Sequence, residues 1–210
     1  MGANCVVGYL DCRLAPEDLC PAAVEDAVES WNGCRQTRRT YGWTQRKLRG
    51  SHFEVSICTP GSIPQNLSPT YSCGNLATAL AHKAALATPP VPLILQSLVV
   101  PVVDTAVSHT DSVYPSWSKN IKTCGLVPDR ILWFRNLCLP DETDRTRQDY
   151  SPTFSPDEAF QRTPNAWIGV CEGDILRDEC VFCGEKLRKS GKKSRSCGLP
   201  TCSTRDLGNG

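Results

Sequence analysis

The sequence predicts an α/β fold in which helices flank a mostly parallel sheet. Apolar runs typical of buried strands occur at 5–10, 93–103 and 166–173. Amphipathic segments with helical spacing occur at 21–31, 75–87, 129–139 and 178–191. Strands alternating with helices in this way are typical of a parallel sheet covered by helices. We therefore expect the three apolar runs to lie side by side as parallel strands, with helices 21–31 and 178–190 packed on the sheet.

Each element has a local reason to form. The run CVVGYL at 5–10 predicts a short buried strand. The run LILQSLVVPVV at 93–103 is apolar on both of its faces, as strands covered by helices on both sides tend to be. Pro21 stands where helices accept proline, at the start of the segment 21–31. The last helix carries Lys and Arg in its final turn and stops at Gly191.

Length and composition narrow the class of protein. The chain has 210 residues, 40% hydrophobic and 21% charged, which suits a soluble globular protein with one sizeable core. The net charge of +1 gives no electrostatic reason to expect a nucleic-acid partner. No apolar run approaches the ~20 residues that span a bilayer, and the first residues lack the pattern of a signal peptide. Thirteen cysteines cannot all pair internally. Without an export signal we expect a reducing compartment, the cytoplasm, and free thiols. We also expect no cofactor.

Two basic stretches break the alternation. The segment from Gly33 to Gly50 and the tail from Lys192 have no clear apolar face. Ordering a segment costs conformational entropy that burial must offset. We therefore expect 33–52 and 192–210 to be poorly ordered.

Four sequence motifs occur in the order typical of one family. DCRLAPEDLCPAAVEDAVESW (11–31), GNLA (74–77), VVPVVD (99–104) and GDILRDE (173–179) closely resemble segments of the hormone-sensitive-lipase-like esterases, a branch of the α/β-hydrolase fold. The resemblance implies a partial α/β-hydrolase domain at 5–190, truncated at both ends, with a poorly matching stretch at 33–68 and an unmatched tail at 191–210. It implies hydrolysis of carboxylic esters by a Ser–His–Asp mechanism, with a small-molecule ester as the substrate.

The resemblance implies roles for two residues of this chain. Asp174 matches the acid, and it follows a predicted strand, where such sheets carry their chemistry. The candidate nucleophile is Ser72, but the alignment places Tyr71 at the position of the serine. The G-x-S-x-G elbow is degraded as well, because Pro69 and Cys73 stand where glycines allow the sharp turn.

The remaining parts of the mechanism are missing. In the family the histidine follows the acid in the chain, yet His52, His82 and His109 all precede Asp174. We expect His82 to be a partly exposed helical residue. No HGGG loop, which would supply N–H donors to the oxyanion, occurs in the sequence. We therefore expect an enzyme that is weak or inactive as this chain.

Two alternatives remain open. The chain could be a non-catalytic family remnant or a scaffold, since the same substitutions would suit either. Less favoured is a zinc site, which would use Cys180, Cys183, Cys197 and Cys202. Against zinc, the outer pair lacks the usual spacing, and the first pair falls in the helix that follows the acid loop. The oligomeric state is not readable from the sequence.

Overall fold

The computed structural model of the chain describes residues 12–40, 70–90, 93, 95–108, 113–122 and 126–199, and at 34–40, 70–73 and 199 it describes the backbone alone. In chain order the helices and strands are α1 (Ala22–Thr40), α2 (Thr70–Leu86), β1 (Leu95–Val99), α3 (Ser116–Lys119), α4 (Pro128–Cys138), α5 (Asp157–Arg162), β2 (Asn165–Cys171), α6 (Arg177–Lys189) and β3 (Ser194–Leu199). Two 3₁₀ turns lie at Glu142–Thr146 and Pro152–Phe154.

The three described strands form one parallel sheet in the order β1-β2-β3. Leu98 is in register with Ile168, which is in turn in register with Ser196. The predicted parallel pairing of the runs 93–103 and 166–173 is therefore confirmed. The first of these strands is shorter than predicted, because Val100 adopts a positive φ of 41° and the chain leaves the strand there. The predicted strand at 5–10 lies outside the described residues.

Three helices cover one face of the sheet. Helix α2 packs on β1, α6 packs on β2 and β3, and α5 contacts both α2 and α6. The strand residues beneath these helices, Leu98 and Ile168 among them, are fully buried, and Phe160 of α5 lies with them in the main core. The predicted packing of the helix at 178–190 on the sheet is confirmed.

Helix α1 adds a further layer. Trp31 packs with Leu80 and Ala84 of α2, and Val24 packs with Leu76. The apolar spacing at 21–31 therefore indicated the helix correctly. Its predicted place on the sheet was wrong, because its apolar face meets α2.

The two basic stretches contain more structure than predicted. Helix α1 continues through Gly33 to Thr40, and β3 adds a parallel edge strand at 194–199. These residues therefore carry secondary structure that the sequence did not predict, although β3 lacks the buried side chains of a packed element. Burial explains why the sequence did not show β3, since its side chains from 195 to 198 are exposed and give no alternation of apolar and polar residues. Residues 41–52 and 200–210 lie outside the described residues.

A glycine-ended helix leads into β3. Gly191 has a φ of 82°, its N–H donates to the carbonyl of Arg188, and the N–H of Lys192 donates to the carbonyl of Leu187. These two bonds form a Schellman motif, which satisfies the last carbonyls of α6. The predicted stop at Gly191 is confirmed, and the turn directs the chain into β3 beside β2.

Candidate active site

The loop after β2 carries the predicted acid at the carboxyl end of that strand. Asp174 accepts a hydrogen bond at Oδ1 from the N–H of Leu176, at 2.9 Å. Its backbone carbonyl accepts a bond of 2.8 Å from Nδ2 of Asn120, which also donates to the carbonyl of Glu172 at 2.9 Å. The half-buried carboxylate of Asp174 is thus held on a loop fixed from both sides, as an acid that orients another group must be.

Asp178 is a second acid of the same motif, in the first turn of α6, and its contacts differ from those of Asp174. Its Oδ2 accepts a 2.7 Å bond from the N–H of Ser116, and its Oδ1 accepts one of 2.8 Å from Nε of Arg177. Burial acts to raise the pKa of Asp178, but the bonds from Arg177 and Ser116 outweigh it and leave that pKa below its usual value. Asp178 therefore ties α3 to α6, and Asp174 remains the acid at the end of the strand.

Glu179 is a third acid of the motif, and sequence reasoning assigned it no role. It is fully buried, with Oε1 accepting from the N–H of Val103 at 3.0 Å and Oε2 accepting from Nε1 of Trp117 at 3.3 Å. Burial raises the pKa of Glu179 to about 8. Its carboxyl joins the two family-like segments VVPVVD and GDILRDE. The signal was present in the sequence, because Glu179 shares the apolar stripe of α6 with Cys180, Cys183 and Leu187.

Asp104, the last residue of VVPVVD, closes the same network. Its Oδ1 accepts from the N–H of Ala106 at 2.9 Å and its Oδ2 from the hydroxyl of Tyr114 at 3.2 Å. Burial raises the pKa of Asp104 above its usual value. The loop that follows β1 thus carries one carboxyl group of raised pKa, Asp104, and contacts a second, Glu179.

The start of α2 docks on the loop that follows β1. A Cβ added to Gly74 would lie 2.7 Å from Cα of Pro101, so only glycine allows this approach. Nδ2 of Asn75 donates to the carbonyls of Val102 at 2.8 Å and Tyr150 at 2.7 Å. The Gly-Asn pair therefore fastens the helix to the carboxyl edge of the sheet, which is the edge that also carries Asp174.

Ser72 lies within the first turn of this helix, since α2 begins at Thr70. An elbow would instead place the serine on a strained turn between a strand and a helix. The structure thus brings the backbone of Ser72 and the loop of Asp174 to the same edge of the sheet. A catalytic role for either residue stays a prediction.

His82 lies elsewhere. It was expected to be partly exposed, and this was wrong: only 3% of it is accessible. Its Nδ1 lies 2.7 Å from Oγ of Ser155, and its ring packs against that of Phe160 in a T-shaped arrangement with the ring centroids 4.6 Å apart. Burial lowers the pKa of His82 to about 4. At 1.5 Å per residue it is about 12 Å along the helix from Gly74. Helix α2 runs from the carboxyl edge of β1 toward the amino end of that strand. His82 therefore lies away from the edge of the sheet that carries Asp174, and its position does not support a catalytic role there. His52 and His109 lie outside the described residues.

The zinc alternative is not supported by the three of its cysteines that the structure describes. Cys180 and Cys183 are buried beneath α6, and burial raises the pKa of both thiols, to about 12 for Cys183. Ser196 of β3 contacts the α6 side of the sheet, near Gly184, so its neighbour Cys197 faces the opposite side. Over the described ranges no three His, Cys, Asp or Glu residues gather as metal ligands would. Cys202 lies outside those ranges.

A parallel sheet with helices on its face, an acid loop at the carboxyl end of one strand and a glycine-led helix docked beside it define an α/β-hydrolase. A family model described as the alpha/beta hydrolase fold matches residues 72–201. An AB hydrolase superfamily protein of Schizosaccharomyces pombe is 35% identical over 194 residues, which are 91% of this chain and 51% of that protein. The chain belongs to the esterase/lipase-like α/β-hydrolase family.

Further relatives agree with this assignment. A carboxylesterase of Mycobacterium tuberculosis is 28% identical over 96% of this chain and 56% of its own length. The crystal structure of carboxyl esterase 2 from Tuber melanosporum is similar in fold, with a TM-score of 0.70 and 20% identity over 90% of this chain and 55% of that one. A thermostable esterase from Pseudomonas putida gives a TM-score of 0.70 at 24% identity, over 92% and 55% of the two chains. The chain spans about half the length of the curated relatives it matches. No helix in the described part of the chain is long and apolar enough to cross a membrane.

Proposed function

We propose that this chain carries the acid half of a carboxylic-ester hydrolase site and that the 210 residues alone hydrolyse small esters weakly or not at all. The observation that carries the proposal is the position of Asp174, held by Leu176 and Asn120 at the carboxyl end of β2. In a serine esterase the serine oxygen attacks the ester carbonyl, a histidine takes its proton, and the acid holds that histidine in the required tautomer. Asp174 would be the residue that holds it.

The other half of the mechanism has weaker support. The printed sequence contains no histidine after Asp174, and His82 already contacts Ser155. Ser72 would be the nucleophile, but it lies in a helical turn next to Tyr71.

We place the chain in the hormone-sensitive-lipase-like branch because of its first motif. In that motif Arg13 donates hydrogen bonds of 2.8 to 3.2 Å to the carboxylate of Asp26. The pair ties the start of that motif to α1.

The test is the hydrolysis of short p-nitrophenyl esters. The purified chain should be compared with Ser72→Ala and Asp174→Asn under identical conditions. We expect all three to give equal rates close to a protein blank, because loss of the histidine of a serine-type triad costs roughly 10⁶ in kcat. Robust turnover that both substitutions abolish would contradict the proposed impairment and would assign both residues to catalysis.

A second candidate function is a non-catalytic member of the family that binds an ester or a partner. The feature that favours it is the start of α2, where the docking residues Gly74 and Asn75 are retained although Pro69 and Cys73 stand at the glycine positions of the elbow. Saturable binding of a short ester, seen by NMR and unaccompanied by turnover, would favour this function. Binding that Ser72→Ala and Asp174→Asn leave unchanged would place the ligand away from the candidate active site.

A further inference from the structure

Two cysteines from distant parts of the sequence meet at one place in the fold. Cys20 precedes α1 in the family-like segment 11–31, and Cys138 is the last residue of α4. The backbone N–H of Cys20 donates to the carbonyl of Cys138 at 3.3 Å. Each thiol is also the strongest influence on the pKa of the other, as expected for two neighbouring thiol groups. The two side chains are half-buried and are not joined by a disulfide in this structure.

The contact is chemically asymmetric. The interaction between the thiols lowers the pKa of Cys138, whereas the same interaction and burial raise the pKa of Cys20. Because the thiolate is the nucleophilic form of cysteine, we assign the first step to Cys138 and the resolving step to Cys20. Cys180 and Cys183 differ from Cys138 in exposure and in pKa. They are buried in the core, and burial raises the pKa of both thiols.

We propose that Cys20 and Cys138 are an oxidative modification site, which a hydroperoxide converts into an intramolecular disulfide. The sulfur of Cys138 attacks one peroxide oxygen, the O–O bond breaks, and the departing oxygen takes up the thiol proton and leaves as water or as an alcohol. Cys138 is then a sulfenic acid. The sulfur of Cys20 attacks the sulfur of Cys138, the S–O bond breaks, and a water leaves with the proton from Cys20. Together the two thiols lose two electrons, and the peroxide gains these two electrons.

The bond would connect two parts of the molecule that the backbone joins only through a long path. Cys20 lies directly before α1, whose first turns are tied to the preceding segment by Arg13 and Asp26. Cys138 ends α4, a helix between β1 and β2. A disulfide that closes a long loop restricts the unfolded chain strongly. The oxidised protein should therefore resist unfolding better than the reduced protein.

Peptide mapping tests the proposal directly. The full chain is reduced, exchanged into buffer, treated with hydrogen peroxide near equimolar to the protein, alkylated under denaturing conditions and digested without reduction. Cleavage after Arg and Glu leaves Cys20 in 18–25 and Cys138 in 136–142, so that Cys34 is on a separate peptide. We expect a linked 18–25/136–142 pair, two hydrogens lighter than the sum of its parts, to be the most abundant disulfide. Cys138→Ser should lose it, and Cys197→Ser, which removes an exposed thiol of β3, should keep it.

Thermal unfolding gives an independent readout. Peroxide treatment should raise the Tm of the wild-type chain by about 5–15 °C and should leave the Tm of Cys20→Ser unchanged. Absence of the linked pair from oxidised wild-type protein, or random links among the thirteen cysteines, would overturn the proposal. An equal rise in Tm for Cys138→Ser would overturn it as well. If the serine variants do not fold, the wild-type peptide map decides the question alone.

Discussion

The loop after β2 and the start of α2 lie at the same edge of the sheet, but they differ in which of their residues suit a hydrolase. In the loop and the first turn of α6 that follows it, all three acids of the family-like motif are present and each has its own partners. Asp174 is held at the strand end, Asp178 is bonded to Ser116, and Glu179 is buried against Val103. The candidate acid and the residues that fix the packing therefore lie within one short stretch of the chain.

At the start of α2 only the packing residues suit the family. Gly74 permits the close approach to Pro101, and Asn75 bonds two backbone carbonyls. The positions that would do chemistry are occupied by Tyr71, Ser72 and Cys73 in a helical turn. The difference shows that the packing of α2 on the loop after β1 and the geometry of a nucleophile elbow are separate requirements. A glycine and an amide suffice to seat this helix, whereas an elbow also needs small residues around a strained serine.

The largest expected effect is on the acid-loop side of this comparison. Glu179→Ala should lower the free energy of unfolding by about 2–5 kcal/mol, because it leaves the N–H of Val103 and Nε1 of Trp117 buried without acceptors and opens a void. Urea unfolding monitored by circular dichroism measures the change. The matched control is Glu158→Ala, which removes an exposed ion pair with Arg162 and should cost at most about 1 kcal/mol. Similar losses in the two variants would show that the buried carboxyl does not join the two motifs.

The pH dependence of stability sharpens the same point. The pKa of Glu179 is raised from 4.5 to about 8 in the folded chain, by burial first. Between those values the folded state keeps a proton that the unfolded state has lost, so this contribution is full below pH 4.5 and is lost as the pH rises toward 8. The slope is at most about 1.4 kcal/mol per pH unit. Because Gln cannot titrate, the stability of the wild-type chain relative to Glu179→Gln should fall from pH 5 to 8 and level off above it. A difference that is flat over this range would mean that Glu179 is already ionised at pH 5.

Sequence patterns predicted the parts of the fold whose residues have an apolar reason to be where they are. The helix that begins at Ala22, the parallel pairing of β1 with β2 and the stop at Gly191 were all predicted. The edge strand β3 was missed because backbone pairing with β2 holds it in place while its side chains stay exposed. Backbone hydrogen bonds leave no pattern in side-chain polarity, so no periodicity could have revealed it.

The candidate site divides along a similar line. The place of Asp174 followed from a strand followed by an acid, which is a local pattern. The burial of His82 did not, because it depends on Ser155 and Phe160, which lie more than seventy residues further along the chain. The role of Glu179 also depends on partners from the loop after β1 and from α3. The apolar stripe of α6 indicates that Glu179 is enclosed, but the sequence does not show which groups donate hydrogen bonds to its carboxyl.

The smallest expected effect concerns the start of α2 and uses a pair of helical glycines. Gly74→Ala gains about 1 kcal/mol of helix propensity, but its Cβ would meet the backbone of Pro101 at 2.7 Å, so that the helix must move and Asn75 must lengthen its bonds. We expect a net loss of about 1–2 kcal/mol in unfolding free energy. Gly33→Ala is the matched control, since Gly33 lies inside α1 and an added Cβ meets nothing within 4 Å. It should stabilise the chain by up to about 1 kcal/mol. Opposite signs for the two variants in urea unfolding would support the docking role of Gly74. A gain in both would show that α2 does not need its close approach to the loop after β1, and the separation of docking from chemistry would then lose its main structural basis.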